Sequence, residues 1–153
     1  MNRRKAIELS RAERADFLNA TRTIVLSTID RRGYPHSVAM WFAMDGECCL
    51  MTTYAKSQKV LNISRNPKVS LLAESGTTYD TLKGVLVRGH ADLIKDDIET
   101  CVQVLTRVHQ KMMGAMPAGI EDALKAQARK RVVIRVTPER TSSWDHSKLS
   151  GTY

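Results

Sequence analysis

Along the chain, the spacing of hydrophobic and polar positions changes period several times. Ser10-Arg11-Ala12-Glu13 has capping-box spacing and predicts a short helix to about Ala20, with Phe17 and Leu18 turned inward. Thr23 to Ile29 is rich in β-branched residues and reads as a strand. Asp30-Arg31-Arg32-Gly33 is turn chemistry, after which Pro35 opens a second strand to Met44. Asp45-Gly46 is a hairpin signal, and Glu47 to Thr53 follows as a third strand, so these three predict a meander. The period then becomes helical from Ser57 to Arg65, with Val60, Leu61 and Ser64 three to four apart, until Asn66-Pro67 ends the helix.

Val69 to Ala73 and Gly84 to Ile94 predict a fourth and a fifth strand. Asp96 or Asp97 then caps an amphipathic helix whose apolar stripe is Ile98, Cys101, Val102, Leu105, Val108 and Met112. A loop from Gly114 to Gly119 leads to a short helix, Ile120 to about Ala128. Arg131 to Val136 reads as the closing strand and Pro138 to Tyr153 as a polar tail. The fold class is therefore mainly β with flanking helices. Six mainly antiparallel strands in so short a chain favour a closed or partly closed barrel, which removes exposed edges.

Composition narrows the picture. A chain of 153 residues suits one domain, with residues 1–9 and 147–153 as tails. No apolar run is long enough for a signal sequence or a membrane span, so a cytoplasmic protein is expected. Three cysteines, two of them the neighbours Cys48 and Cys49, and four scattered histidines give no metal-ligand spacing. Adjacent strand residues point to opposite faces, so Cys48 and Cys49 do not pair with each other, and free thiols are expected. The net charge of +8 raises nucleic-acid binding as a rival reading. The basic residues, however, lack a run interleaved with aromatics, and the same charge serves an anionic small molecule.

The chemistry concentrates where the third strand gives way to a helix, at Met51-Thr52-Thr53-Tyr54-Ala55-Lys56-Ser57-Gln58-Lys59. Ser57 takes the N-cap position, and a helix start offers free N–H groups and partial positive charge to a phosphate. Lys56 and Lys59 flank it, with the hydroxyls of Thr52, Thr53 and Ser57 near by. Surface strands, caps and lysines of this kind also occur where nothing binds.

Together with Ser37-Val38-Ala39-Met40-Trp41-Phe42 and the Asp45-Gly46 hairpin, this segment resembles the flavin- and deazaflavin-dependent split-barrel oxidoreductases. That superfamily includes pyridoxamine 5'-phosphate oxidase and the coenzyme F420 enzymes of actinobacteria, and the sequence is more similar to the F420 branch. Thr78-Tyr79-Asp80-Thr81-Leu82-Lys83-Gly84-Val85 and Ser143-Trp144-Asp145-His146-Ser147-Lys148-Leu149 carry the likeness further. The resemblance implies a six-stranded antiparallel split β-barrel of Greek-key type, homodimeric, with two cofactor sites at the interface. It implies that Ser57, Gln58 and Lys59 hold the cofactor phosphate, with Met51, Thr52, Thr53 and Lys56 beside it. His36, Ser37, Val38 and Ala39 would run along the ring edge. Thr78, Tyr79, Asp80, Trp144 and Lys148 would approach the cofactor, from the same chain or its partner. Gln58 stands where the oxidase carries arginine, and the oxidase's C-terminal basic signature is missing, so vitamin B6 oxidation is not implied.

The reading is a reductase using coenzyme F420, or FMN, on a small organic acceptor, with no catalytic side chain assigned. A non-catalytic flavin or haem carrier is the alternative. His109 reads as structural and His146 as a surface residue.

Overall fold

The computed structural model describes residues 2–149. A one-turn helix α1 (Arg3–Ala6) precedes α2 (Arg11–Ala20), which opens with the expected capping box between Ser10 and Glu13. The strands are β1 (Thr23–Ile29), β2 (Pro35–Trp41), β3 (Ala43–Asp45), β4 (Cys48–Tyr54), β5 (Lys68–Ser75), β6 (Lys83–Ile94) and β7 (Arg131–Asp145). Helix α3 (Gln58–Arg65) follows β4, and α4 (Ile98–Met113) and α5 (Glu121–Ala128) lie between β6 and β7. All strand pairings are antiparallel, in the order β2-β1-β5-β6-β7-β4-β3.

The expected three-stranded meander is corrected by this order. The second strand breaks at Phe42, giving seven strands in place of six. Its first half pairs with β1 and its second half with β4, at opposite edges of the sheet. A single residue, fully buried Phe42, joins those edges, so the sheet has to curl until they meet. This is a split barrel. Gly46, with φ of +60°, opens the two-residue loop of the β3–β4 hairpin, a conformation glycine adopts without Cβ strain.

A second correction concerns the closing strand, which runs on to Asp145. It passes Pro138 at a register shift, opposite Gly89 of β6, and a bulge is where proline's missing N–H is tolerated. The polar residues that made this stretch look like a tail are used for bonding. Ser143 Oγ accepts from the Leu9 N–H at 3.0 Å, and the Asp145 N–H donates to the Ile7 carbonyl at 2.7 Å. The chain from Ile7 to Leu9, expected to belong to a tail, is thereby pinned, and Leu9 is buried. Residues 150–153 of the expected C-terminal tail lie outside the described residues, as does residue 1 of the N-terminal one.

Two hydrophobic clusters share the sheet. Leu26, Phe42, Met51, Val85 and Ile134 fill the barrel, while Leu50 and Val133 meet Leu105, Val108 and Leu124 beneath α4 and α5. Cys49–Met51 of β4 and Val132–Ile134 of β7 are buried on both faces, so these stretches read as continuous apolar runs. Helix α4 buries Cys101, Val104, Leu105, Val108 and Met112, whereas Ile98, placed in the stripe from sequence, is exposed. In α3 the inward residues are Val60, Asn62 and Ile63, and Leu61 faces out.

Candidate functional site

The barrel is open along one seam. Strand β2 has a neighbour only on the β1 side, and β4 loses β3 as partner after Leu50. From the crossing at Phe42 the two strands therefore diverge. A cleft of about 810 Å3 lies between Ala39–Trp41 on one side and Thr52–Tyr54 on the other, walled by α4 and α5. Its volume is in the upper part of the roughly 300–1,000 Å3 range of small-molecule sites. The charged residues lining it are Lys130 and Arg131, with no carboxylate among them.

One end of the cleft is a set of hydroxyls and cations. Lys59 Nζ donates to Thr53 Oγ1 at 3.0 Å, and that hydroxyl lies 3.4 Å from Ser57 Oγ, its acceptor. Arg131 stacks 4.6 Å from the Tyr54 ring centroid and points Nη1 at Thr52 Oγ1, 3.5 Å away. Burial first, and the Arg131 charge second, hold the Lys59 ammonium below the ordinary lysine range. Both causes express a cation lacking an anionic partner. Ser57 occupies the N-cap of α3 but its side chain makes no capping bond, so the first N–H groups of the helix are left without that acceptor.

The sequence-predicted residues divide into two groups. Thr53, Ser57 and Lys59 are joined by hydrogen bonds, Thr52 and Thr53 line the cleft, and Ala39 lines the facing strand. Lys56 is exposed in the turn before α3. Gln58 turns its amide back along α3 to Asn62 Oδ1 at 2.8 Å and away from the helix start. Asn62 Nδ2 in turn donates to Thr28 Oγ1 at 3.0 Å, and Thr28 Oγ1 lies 3.4 Å from the His36 carbonyl. A buried chain of polar groups thus joins α3 to β2. Met51 puts its side chain into the barrel core and can offer the cleft only its backbone. Ser37 shares a 2.7 Å bond with Ser27, Val38 packs on the core, and His36 Nδ1 is a buried atom with no partner.

The second group lies elsewhere. Tyr79 and Asp80 form a 3-10 turn after Thr78 at the start of β6, and Trp144 pairs with Gly84 at the far end of β7. Twelve residues of β7 separate Trp144 from Arg131, roughly 40 Å of extended chain. His146 Nδ1 lies 2.8 Å from the Tyr79 carbonyl, and the two ring centroids are 4.6 Å apart with planes tilted by 55°. Lys148 is engaged locally, donating to the Glu8 carbonyl at 3.0 Å and to Glu13 Oε2 at 2.7 Å. That bond, followed by the Ser10 N–H, draws the Glu13 carboxyl down to about 2.

Sequence reasoning missed Arg131, Tyr54, Lys130, Trp41 and His109 as cleft residues. Arg131 read only as the first residue of a strand, because its position opposite Tyr54 follows from the β4–β7 register. Among the described residues there is no cluster of His, Cys, Asp or Glu that could hold a metal ion, and no helix long and apolar enough to cross a membrane.

An antiparallel barrel open along one seam, with hydroxyls and cations near a helix start, defines a split-barrel protein. The profile of the pyridoxamine 5'-phosphate oxidase family matches residues 10–145, and the chain belongs to that family. Among solved structures it is similar to the conserved hypothetical protein Rv2991 from Mycobacterium tuberculosis. Identity there is 40%, over 98% of this chain and 93% of that one, with a TM-score of 0.91. It is similar to an F420 reductase at 27% identity, covering 83% of this chain and 94% of that one, TM-score 0.65. The fold is shared with HutZ, a haem storage protein from Vibrio cholerae, at 21% identity, covering 88% and 92%, TM-score 0.67. No curated protein matches the sequence.

Proposed function

We propose that the cleft binds a flavin-type cofactor, coenzyme F420 before FMN, and that the chain is a two-electron reductase of small organic acceptors. The observation that carries this is the seat formed by Lys59, Thr53 and Arg131 beside the start of α3, in a cleft with no carboxylate. These residues fit a phosphate, since Lys59 and Arg131 bond hydroxyls on neighbouring residues of β4, beside a helix start whose N-cap side chain makes no capping bond. The unpaired edge of β2 from Ser37 to Ala39 offers backbone groups to the polar rim of a planar ring. The F420 reductase relative and the basic rim at Lys130 and Arg131, suited to a longer anionic tail, favour F420 over FMN.

When bound, such a cofactor supplies hydride transfer, and the protein's part is to orient it and exclude water. Lys59 and Arg131 neutralise the phosphate, the buried Asn62–Thr28 link sets α3 against β1, and Leu105 and Val108 keep one wall of the cleft apolar. In this reading the working form is a homodimer, in which the Thr78–Asp80 turn and Trp144, remote from the cleft of their own chain, approach the cofactor held by the partner subunit.

Fluorescence titration with F420 and with FMN tests the proposal, alongside Lys59→Ala and Arg131→Ala. Micromolar binding of one cofactor, weakened at least about tenfold in either variant, is expected for lost charge-assisted bonds. Binding of neither cofactor by folded, dimeric protein would refute it.

A further inference from the structure

The end of the cleft remote from Arg131 is built differently, and nothing in the phosphate seat explains it. Trp41 of β2 stands edge-to-face with His109 of α4, ring centroids 6.2 Å apart and planes at 83°. Leu105 and Val108 continue the α4 wall, so this end is an aromatic and aliphatic slot with one polar ring in it. His109 is held from two sides. Its Nδ1 lies 2.8 Å from the Leu105 carbonyl oxygen, which can only accept, so Nδ1 carries the hydrogen. In the neutral imidazole this leaves Nε2 with a lone pair. Among the described residues Nε2 has no partner bond and is not a buried orphan, and His109 lines the cleft, so that lone pair is open to a ligand there.

We infer that Trp41 and His109 form a subsite for a small planar aromatic compound bearing a hydroxyl group, which stacks along Trp41 and donates to His109 Nε2. The slot explains planarity, and the fixed tautomer explains the demand for a donor. A free imidazole rotor would serve either role, whereas the Leu105 bond commits this one to accepting while neutral. The inference deepens the reading of the cleft as a reductase site by naming what its far end takes, and rests on that reading for its place in a reaction. The binding itself needs no cofactor.

The test uses the full chain without added cofactor at pH 8, with 2-naphthol and 2-methoxynaphthalene as probes sharing one ring system, the second methylated and unable to donate. Calorimetry should show 2-naphthol binding about fivefold tighter, the usual range for one net hydrogen bond. In His109→Ala that preference should vanish, while Trp41→Ala should weaken both probes alike. In the unmutated protein, long-range proton–nitrogen spectra should show the His109 Nε2 resonance moving with 2-naphthol and not with the methoxy compound, which keeps the test decisive if a variant fails to fold. Equal affinities, or a shift confined to other histidines, would overturn the subsite. Loss of F420 and FMN binding with the naphthol preference intact would instead count against the reductase reading alone.

Discussion

Replacing Asn62 by alanine should be among the costliest single changes in the protein, although Asn62 touches nothing in the cleft. Its side chain is completely buried, accepting from Gln58 at 2.8 Å and donating to Thr28, also fully buried, at 3.0 Å. Losing the partly exposed Gln58 bond costs about 0.5–1 kcal/mol. Leaving the Thr28 hydroxyl without its donor in the core, with a small void, adds about 1–3 kcal/mol. The total is roughly 2–4 kcal/mol, or about 6–12 °C in Tm for a chain of this size. Thr28→Val removes the same bond from the other side and strands the Asn62 amide. Because both singles break one link, the double variant should be less harmful than their sum by about 1–2 kcal/mol. Urea unfolding with an unchanged m-value measures all three. A single-variant loss below about 0.5 kcal/mol, or strict additivity, would refute the claim that this network holds α3 against β1.

Other outcomes follow from the same geometry. Lys111 lies 3.4 Å from the Phe42 ring centroid and donates to the Leu18 carbonyl, yet burial lowers its pKa to about 8. The unfolded chain then binds the proton more tightly, so the Lys111 contribution to stability grows as pH rises from about 8 toward the unfolded value near 10.4. Lys111→Met should remove that rise, seen as a pH-dependent difference in urea midpoint from wild type; a constant difference contradicts the assignment. A Cβ on Gly84 would fall inside the Trp144 indole, so Gly84→Ala should cost about 1–3 kcal/mol in thermal unfolding. The same change in a Trp144→Ala background should cost almost nothing, and an equal cost there would exclude the clash. Burial pushes the Cys49 thiol up to about 12 and also raises Cys101, whereas Cys48 is half-buried. Ellman's reagent should label one thiol in the native protein at neutral pH, and labelling that survives Cys48→Ser would be incompatible with this order.

Local chemistry made much of the fold legible. The Ser10–Glu13 capping box, the proline after α3 and the aspartate before α4 mark their boundaries directly, because the groups involved are neighbours in sequence. What sequence could not show was a change of partner within an unbroken apolar run. Pro35 to Met44 reads as one strand because its apolar run has no turn residue within it, and only the pairing reveals that Phe42 passes from one sheet edge to the other. The β7 extension was hidden for a related reason. Thr141, Ser142 and Ser143 look like a tail until the N-terminal segment supplies Leu9 for Ser143 to bond. In the site, the α3 start was readable because strand, cap and lysines are consecutive. Arg131 and His109 were not, since each reaches the cleft through a register or a helix packing set by residues far away in the chain.

The position of the cleft is a consequence of the crossing at Phe42 and needs no separate device. Strand β2 is committed to β1 through seven successive pairs from Pro35 to Trp41, so its register there is fixed by the inward face of β1. Strand β4 is likewise committed to β7 from Cys49 to Tyr54. Once both are bound to their own neighbours, the sheet's right-handed twist carries β2 and β4 apart with each residue beyond the crossing. The two edges are joined only at the chain crossing at Phe42, beyond which the three-residue β3 pairs with β4. Polar backbone on the two free edges then needs partners other than each other. Pairing of β2 with β4 continued past Leu50 would satisfy that backbone and narrow the cleft, so the brevity of β3 keeps the barrel split.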